Sequence, residues 1–372
     1  MKIGIITIHS AYNYGSALQA VATCEAINNF TNHQSEIINY QPDSIMSMYS
    51  LKLSENLASV KALLKYMLAY RSRTRKKKVF DKFWKESNCL SEKRYISDEQ
   101  LRLANSEYDC FVVGSDQVWN PDIVKHAFPS FCLAFADKEK TKMSYASSFG
   151  VDSIDCVKLE YLNRKLQGFT SISVREEQAK TLLNNMNQQK TTIVCDPVFL
   201  ISKEDWIKKV KAFELPREYI LVYCVEQNKS FRNKIRDIGL KLDLPIVDIG
   251  TSTNPLNYVG MHSDSVGPGE FLYALQNASY VITNSFHGTA FSIIFEKHFI
   301  VKAHSTRGIR MKSLLEKVDM RNKLVSGDET VDELISSLHE QAHKENSKRL
   351  LIDYIQESRN FLVSSLMEIT RD

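Results

Sequence analysis

The chain has 372 residues, of which 43% are hydrophobic and 25% charged, an ordinary balance for a folded globular protein of about two domains. Its formal net charge of +4 is too small to indicate a nucleic-acid-binding surface spread over the whole protein. No apolar run approaches the roughly 20 residues of a membrane-spanning helix, and the short N-terminal apolar run lacks the small-residue cleavage site of a signal peptide. The seven cysteines include no Cys-x-x-Cys pair, so the sequence predicts neither a zinc site nor a disulfide framework, and we expect a cytoplasmic protein.

Strand and helix patterns alternate through the first half, which favours a parallel sheet with helices on both faces. We predict a helix at 17–27 and strands at 2–8, 35–40, 108–113, 141–146, 171–175 and 191–195. Residues 43–105 are predicted to be mainly helical and to carry a basic run, 71–78, with six positive charges between Arg71 and Lys78. That run is either a solvated helix face or a contact for an anionic partner, such as a membrane surface or the diphosphate of a lipid-linked saccharide.

The second half repeats the alternation. We predict helices at 229–241 and 270–278, strands at 219–225, 245–249, 280–283 and 299–302, and two helices at the end. The predicted architecture is α/β, with two Rossmann-like doubly wound domains that face a cleft. The N-terminal domain is expected at 1–213, the C-terminal domain at 214–330, and C-terminal helices that pack back on the body at 331–372.

Polar turns follow several of the predicted strands, where an open α/β sheet binds its ligands. Asn13, Gly15 and Ser16 open the first helix, so backbone N–H groups there can cradle an anion. A single glycine in this turn is not the three-glycine dinucleotide fingerprint, and no Gly-Lys-Ser/Thr sequence of a P-loop is present. The sequence therefore argues against an NAD site and against a P-loop nucleotide site.

Three residues after later strands have side chains suited to chemistry. Asp116 is a candidate general base or, alternatively, the centre of an Asx turn. Trp119 is a candidate stacking platform for a sugar ring or a core anchor. Arg175 offers a fork of donors for a phosphate or carboxylate; its alternative is an ion pair with Glu176, Glu177 or Asp196.

The segment 280–292 is the most informative of the chain, because a short buried strand leads into a polar turn and then a helix. Ser285, His287 and Gly288 lie where this helix begins. A histidine at such a place can carry a positive charge or transfer a proton near neutral pH. The alternative is a capping serine and a histidine held by a backbone carbonyl. His304, Arg307 and Arg310 follow the last strand, and they either face the same cleft or are solvated loop charges.

Together these pieces resemble the polysaccharide pyruvyl transferase family, from residue 1 to about residue 325. The resemblance rests on segments 13–19, 113–120, 145–150, 173–176, 196–197, 278–283 and 285–288. It implies transfer of the pyruvyl group of phosphoenolpyruvate onto a sugar of a polysaccharide or of its lipid-linked precursor, with release of phosphate. It also implies the two-domain arrangement of GT-B glycosyltransferases, and neither a cofactor nor a metal is expected.

The resemblance also assigns roles. Arg175 and His287 match positions that hold the donor in the family; we expect His287 as acid or phosphate ligand, Arg175 as clamp and Asp116 as base. The remaining expected donor ligands are Asn13, Gly15, Ser16, Ser285, Gly288, Arg307 and Arg310. The expected acceptor contacts are Trp119, Asn120, Ser148 and Phe149. We expect the protein at the inner face of the membrane if its acceptor is lipid-linked.

One departure from the family pattern concerns the residue two positions before His287. Some members have Arg-Leu-His there, whereas this chain has Ser285 followed by Phe286. Either Arg307, Arg310 or Lys302 supplies the missing guanidinium or ammonium group, or the donor is held differently.

Two other functions fit the same pattern. The first is a GT-B-type glycosyltransferase with a nucleotide-sugar donor, in which Glu270 would bind the ribose. The second is a non-catalytic saccharide-binding protein that retains the fold. The presence of Asp116, Arg175 and His287 argues against this second alternative.

Overall fold

A computed structural model describes residues 1–47, 60–151, 153–184, 191–250, 256, 265–303, 308–342 and 344–368. Over these residues the chain forms two parallel β-sheets with helices on both faces. None of the described helices has both the length and the hydrophobicity needed to cross a membrane.

The first sheet has the strand order β3-β2-β1-β4-β5, and all of its pairs are parallel. Its strands are β1 (Lys2–Ile6), β2 (Gln34–Tyr40), β3 (Leu90–Tyr95), β4 (Cys110–Val113) and β5 (Thr141–Ser144). Two short strands, β6 (Ile172–Val174) and β7 (Thr191–Ile193), pair with each other and continue the sheet beyond β5 through single bridges. The strands predicted from the apolar runs are therefore present, and no predicted end differs from the observed one by more than two residues.

The helices of the first half are α1 (Tyr14–Phe30), α2 (Asp43–Met46), α3 (Val60–Ser87), α4 (Asp98–Leu101), α5 (Pro121–Val124), α6 (Phe128–Phe131), α7 (Cys156–Leu166), α8 (Glu177–Asn184) and α9 (Lys203–Ile207). The described part of the excursion 43–105, residues 43–47 and 60–105, is mainly helical, and it also contains strand β3. This strand lies at the edge of the sheet, and three consecutive residues of it, Glu92, Lys93 and Arg94, are exposed. Because these three residues break the apolar alternation, the sequence pattern gave no strand signal here.

The second sheet has the order β12-β11-β10-β8-β9, again all parallel. Its strands are β8 (Ile220–Tyr223), β9 (Ile246–Asp248), β10 (Tyr280–Thr283), β11 (His298–Lys302) and β12 (Leu324–Val325). The accompanying helices are α10 (Lys229–Leu242), α11 (Pro268–Asn277), α12 (Phe286–Ile294), α13 (Ile309–Lys317), α14 (Val331–His339) and α15 (Glu345–Glu368). The domain limits at residues 213 and 330 stay a prediction.

One apolar core joins the two sheets. Alternate residues of a strand point to opposite faces, so Ile5 and Val112 enter this shared core. Leu221 and Tyr223 enter it from the second sheet. The outer face of each sheet is covered by a separate core of its own.

The two C-terminal helices pack on different halves of the protein. Helix α14 packs on β11 and α10 of the second sheet, whereas α15 returns to α1 in the first half. Residues of α15 at a four-residue spacing are buried there: Tyr354, Ser358, Leu362 and Leu366. The Ser358 hydroxyl accepts a hydrogen bond of 2.8 Å from the backbone N–H of Cys195, so the contact is specific as well as apolar.

Candidate functional site

The N-termini of α1 and α12 meet between the two sheets. Asn13 caps α1 by accepting a hydrogen bond of 3.1 Å from the N–H of Ser16, and the Ser285 hydroxyl caps α12 with a longer contact of 3.5 Å from the N–H of Gly288. Gly15 lies so close to His287 that a Cβ atom on it would fall 2.0 Å from Nδ1 of the imidazole. Both positive helix ends are thus directed to one place, which suits an anion.

Arg175 is the centre of a buried charge cluster. It follows β6, it is only 5% exposed, and its Nη1 donates to Asp196. Its Nη2 lies 3.5 Å from Oδ1 of Asp116, and its Nε lies 3.9 Å from Oε2 of Glu176. Burial alone would lower the pKa of Arg175, but the carboxylates of Asp196, Asp116 and Glu176 raise it, so the guanidinium stays charged.

Asp116 contacts Ser16 at the start of α1 and lies beside both Arg175 and Arg310. The Ser16 hydroxyl donates to Oδ2 of Asp116 at 2.8 Å, and Nη1 of Arg310 lies 3.7 Å from Oδ1. Burial would raise the pKa of Asp116, yet Arg175, His287 and Arg310 together lower it below its ordinary value. Asp116 is therefore a carboxylate near neutral pH and a weak base.

Asp196 supports His287. Its Oδ2 lies 3.6 Å from Nε2 of His287 and accepts from the Ser115 hydroxyl at 3.2 Å, while its Oδ1 accepts from the N–H of Val198 at 3.1 Å. Burial raises the pKa of Asp196, but Arg175 and His287 outweigh this and hold it well below its usual range. Asp196 was expected from the sequence as an ion-pair partner of Arg175 and as part of the family resemblance at 196–197, and its place beside His287 was not predicted.

Phe286 was not predicted as a site residue. The centroid of its ring lies 4.2 Å from Cζ of Arg175 and 5.8 Å from Cζ of Arg310. Guanidinium groups at these distances from an aromatic ring gain cation–π stabilisation. The ring therefore helps to keep two cations close together.

Two small cavities lie on either side of Phe286 and Arg310. The first, of about 130 Å³, is lined by Asn13, Asp116, Gln117, Ser285, His287 and Arg310, among others. The second, of about 260 Å³, is lined by Arg175, Asp196, Ser313, Lys317 and Tyr354 in addition to the shared wall. In this buried region, Nε and Nη2 of Arg175 and Nε2 of His287 have no hydrogen-bond partner among the described residues. Buried donors without partners are costly, so they mark a place for a ligand.

Arg310 brings a second guanidinium to the site, from α13. It lies beside Phe286 and Asp116 and lines the same small cavity as Ser285. Lys302 is directed elsewhere, since its Nζ lies 5.9 Å from the ring centroid of Phe231. His304 and Arg307 fall outside the described residues.

The residues predicted to contact the acceptor are in the core instead. Trp119 and Phe149 are both 0% exposed and pack on each other with ring centroids 5.7 Å apart. A fully buried indole offers no face to a sugar, so the structure supports the alternative for Trp119, a core anchor. Asn120 caps α5, and the Ser148 hydroxyl donates to Glu176 at 2.7 Å, so both have structural roles.

Glu270, proposed as a ribose ligand of a glycosyltransferase, caps a helix. Its Oε2 accepts a hydrogen bond of 3.1 Å from the N–H of Gly267, in the capping box of α11. Among the described residues, no group of three His, Cys, Asp or Glu side chains is arranged to hold a metal ion.

Two facing Rossmann-like units with a buried polar site between them define the GT-B architecture, and solved structures with this fold are similar to the chain over almost its whole length. UDP-GlcNAc 2-epimerase from Neisseria meningitidis, bound to UDP-GlcNAc, has 11% identity and a TM-score of 0.55, with 99% of this chain and 100% of that chain covered. UDP-N-acetylglucosamine 2-epimerase from Rickettsia bellii has 9% identity and a TM-score of 0.53, with 99% and 95% covered. Spinosyn forosaminyltransferase SpnP has 11% identity and a TM-score of 0.51, with 100% of both chains covered. At such low identity these similarities show the fold alone, and the predicted fold class is confirmed.

The family is shown by the sequence. The family model of polysaccharide pyruvyl transferases matches residues 13–306 of the 372, and the chain belongs to this family. A search among curated proteins finds no significant match.

Proposed function

We propose that the protein transfers the pyruvyl group of phosphoenolpyruvate onto two hydroxyls of a saccharide, forming a ketal and releasing phosphate. Family membership supports a polysaccharide pyruvyl transferase. The observation that carries the proposal is that Nε and Nη2 of Arg175 and Nε2 of His287 are buried 3.5–3.9 Å from carboxylates without making a hydrogen bond to any described residue, beside Arg310 and two helix N-termini. Phosphoenolpyruvate carries a phosphate and a carboxylate, and such a set of fixed donors suits both groups.

In this proposal Arg175 and Arg310 clamp the donor. Guanidinium groups bind phosphate or carboxylate with paired hydrogen bonds, and in a buried site such bonds are stronger than in water. The N–H groups at the starts of α1 and α12 add donors that need no reorganisation. Phosphate is the leaving group, so this clamp stabilises the charge that develops as the C–O bond to phosphate breaks.

His287 is the proposed acid. A proton from the imidazolium goes to the methylene carbon of phosphoenolpyruvate, whose double-bond electrons form the new C–H bond and leave an electron-poor C2. The first sugar hydroxyl attacks C2, phosphate then leaves with its bonding electrons, and the second hydroxyl closes the ketal. Oδ2 of Asp196 lies 3.6 Å from Nε2 of His287 and orients the imidazole for the transfer.

Asp116 is the proposed acceptor for the proton of the first hydroxyl, because its carboxylate lines the cavity, and the departing phosphate accepts the proton of the second hydroxyl. The lowered pKa of Asp116 makes this carboxylate a weak base. A weak base suffices here, since an electron-poor C2 is attacked by a neutral hydroxyl that loses its proton late. The same carboxylate holds the two guanidinium groups in place when the donor is absent.

Glycosyl transfer from a nucleotide-sugar is less well supported. The carboxylate of Glu270, which would bind the ribose, is engaged in capping α11. A purely saccharide-binding protein would have no need for this cluster of buried cations.

Calorimetry with phosphoenolpyruvate, UDP-sugars and GDP-sugars tests the donor. We expect the wild type to bind phosphoenolpyruvate alone, and Arg175→Ala and His287→Ala to bind it at least tenfold more weakly. Matched controls are Arg102→Ala and His126→Ala, both at exposed positions, which should bind as the wild type does. Binding of a nucleotide-sugar without a response to phosphoenolpyruvate would refute the proposal in favour of glycosyl transfer.

A peripheral membrane contact through residues 71–78 belongs to the same proposal, on the premise of a lipid-linked acceptor. In α3 the side chains of Arg71, Arg75 and Lys78 are exposed, and the apolar side chains of Met67 and Tyr70 are 45% and 57% exposed beside them. Cations next to exposed apolar groups suit an anionic lipid surface. Flotation with vesicles that contain phosphatidylglycerol should recover the wild type in a salt-sensitive way, and the triple alanine variant of Arg71, Arg75 and Lys78 should stay at the bottom. Equal flotation of the wild type and the triple variant would refute the proposed membrane contact.

A further inference from the structure

A cavity of about 760 Å³, larger than the two described above, lies outside the charge cluster, between α3 and the strands β2 and β3. Its walls are the loop after β1, with His9, Ser10 and Tyr12, and parts of β2, β3 and α3. A volume within the range of about 300–1,000 Å³ is typical of ligand pockets. None of the roles assigned above uses it.

The walls of this cavity combine an aromatic ring with free polar groups. Trp84 is half-buried, and its ring meets that of His9 edge-on, with centroids 5.6 Å apart and an interplanar angle of 87°. Oγ of Ser10 is buried and has no hydrogen-bond partner among the described residues. Oδ1 of Asn39 accepts from Nε2 of His9 at 3.3 Å and from Gln41 at 2.7 Å, so the NH₂ group of Asn39 is left to donate. An aromatic face beside hydroxyl and amide groups matches the apolar C–H face and polar rim of a sugar ring.

The charges around the cavity balance. Three cations line it and three anions oppose them: Lys77, Lys85 and Arg94, against Glu36, Asp81 and Glu92. Lys77 is paired with Asp81, and burial lowers the pKa of His9 to about 4, so this histidine adds no charge near neutral pH. A balanced lining favours a neutral polyhydroxyl ligand over a nucleotide or a lipid diphosphate, which need an excess of cations.

The cavity also adjoins the donor site along the chain. His9, Ser10 and Tyr12 line the large cavity, whereas the next residue, Asn13, lines the small one that contains His287 and Asp116. The loop between β1 and α1 therefore contributes to the walls of both cavities, so a ligand in the large cavity lies next to the donor site.

We propose that this cavity binds the acceptor as a neutral oligosaccharide, with Trp84 as the stacking platform and Ser10, Asn39 and Arg94 as hydrogen-bonding groups. That the bound saccharide is the acceptor of the reaction rests on the proposed function. The saccharide site itself is inferred from the geometry of the cavity alone. The sugar residue nearest the loop would present a 1,2- or 1,3-diol to the donor, since only such a pair closes a five- or six-membered ketal ring. The cavity takes the role that was expected of Trp119.

An array of immobilised neutral di- to tetrasaccharides of hexoses and N-acetylhexosamines, probed with labelled full-length protein, tests the proposal. We expect capture of a subset by the wild type, and at least tenfold weaker capture by Trp84→Ala and by Arg94→Ala. Arg94 is exposed, so its variant has little effect on folding. Lys82→Ala, at an exposed position on the same helix, and Lys93→Ala, at an exposed position next to Arg94, are matched controls and should capture as the wild type does.

The outcomes separate this inference from the proposed function when phosphoenolpyruvate calorimetry is run on the same preparations. If phosphoenolpyruvate binds but the array captures no protein, the saccharide site is overturned and the donor proposal is left intact. The same holds if phosphoenolpyruvate binds and both cavity variants are captured as well as the wild type is. Capture that depends on Trp84 and Arg94, without any binding of phosphoenolpyruvate, keeps the saccharide site and overturns the donor.

Discussion

Replacing Gly15 with alanine tests whether the two helix N-termini meet as the structure has them. A Cβ atom at this position would lie 2.0 Å from Nδ1 and 2.3 Å from Cγ of His287, whereas ordinary contacts begin at 3.4 Å. The imidazole, or the whole start of α12, must therefore move by about 1.4 Å. A side chain displaced that far no longer makes a good hydrogen bond with a ligand held by Arg175.

The expected cost follows from the bond that is lost. A hydrogen bond between His287 and a charged phosphate contributes about 1.5–3 kcal/mol, which is roughly ten- to a hundredfold in affinity. Calorimetry should therefore show phosphoenolpyruvate binding weakened by that factor in Gly15→Ala. The ¹⁵N shifts of the His287 ring should change at the same time, because its surroundings change.

Gly168→Ala is the matched control. The atom nearest to an added Cβ there is the carbonyl oxygen of Lys165, at an ordinary 3.7 Å, so we expect wild-type affinity and melting temperature. If Gly15→Ala binds phosphoenolpyruvate like the wild type and leaves the His287 resonances unchanged, the two helix ends do not meet in solution and the site as described is refuted.

Further predictions concern single charges. Arg310→Ala should weaken phosphoenolpyruvate binding roughly ten- to a hundredfold, because a charge-assisted hydrogen bond is lost. Arg310→Lys should recover part of the affinity. Unchanged affinity of Arg310→Ala in calorimetry would exclude Arg310 from the clamp. Asp116→Asn should bind phosphoenolpyruvate about tenfold more tightly, because a carboxylate that competes with the donor for both guanidinium groups is removed. With acceptor present, the same variant should release phosphate more slowly. Weaker binding of phosphoenolpyruvate would show that Asp116 does not compete with the donor. In the folded protein the pKa of His9 is about 4, whereas in the unfolded chain it is 6.5. The neutral form of His9 is therefore favoured by folding, and this contribution to stability is complete above pH 6.5 and is lost as the pH falls towards 4. Between pH 8 and pH 5 the wild type should lose about 2 kcal/mol more unfolding free energy than His9→Gln in urea titrations; parallel curves would show that His9 is not buried as described.

Local elements were predictable from the sequence where burial leaves a simple pattern. The strand Tyr280–Thr283 was predicted with its observed limits, because an apolar run of four residues ends at a polar turn and a helix follows. The edge strand β3 was missed, since its exposed Glu92, Lys93 and Arg94 follow no alternation. Pattern arguments depend on a buried face, and an edge strand has little of one.

The candidate site was only partly accessible from the sequence. Arg175, Asp116 and His287 were proposed because they follow strands, and the structure brings them together, although their roles stay predictions. The contact between Gly15 and His287 joins residues far apart in the chain and has no local signature. Trp119 also follows a strand, but its loop turns into the core, and a single sequence does not distinguish an inward from an outward turn.

The return of α15 to the first half has a consequence for synthesis on the ribosome. The N-terminal half emerges long before Tyr354, Ser358, Leu362 and Leu366, which are the residues that cover it. Until α15 follows, the backbone N–H of Cys195 lacks its hydroxyl partner, and apolar surface beside α1 stays open to water or to a chaperone. A nascent chain arrested before residue 354 should therefore be captured by chaperones, although both of its sheets have already been made.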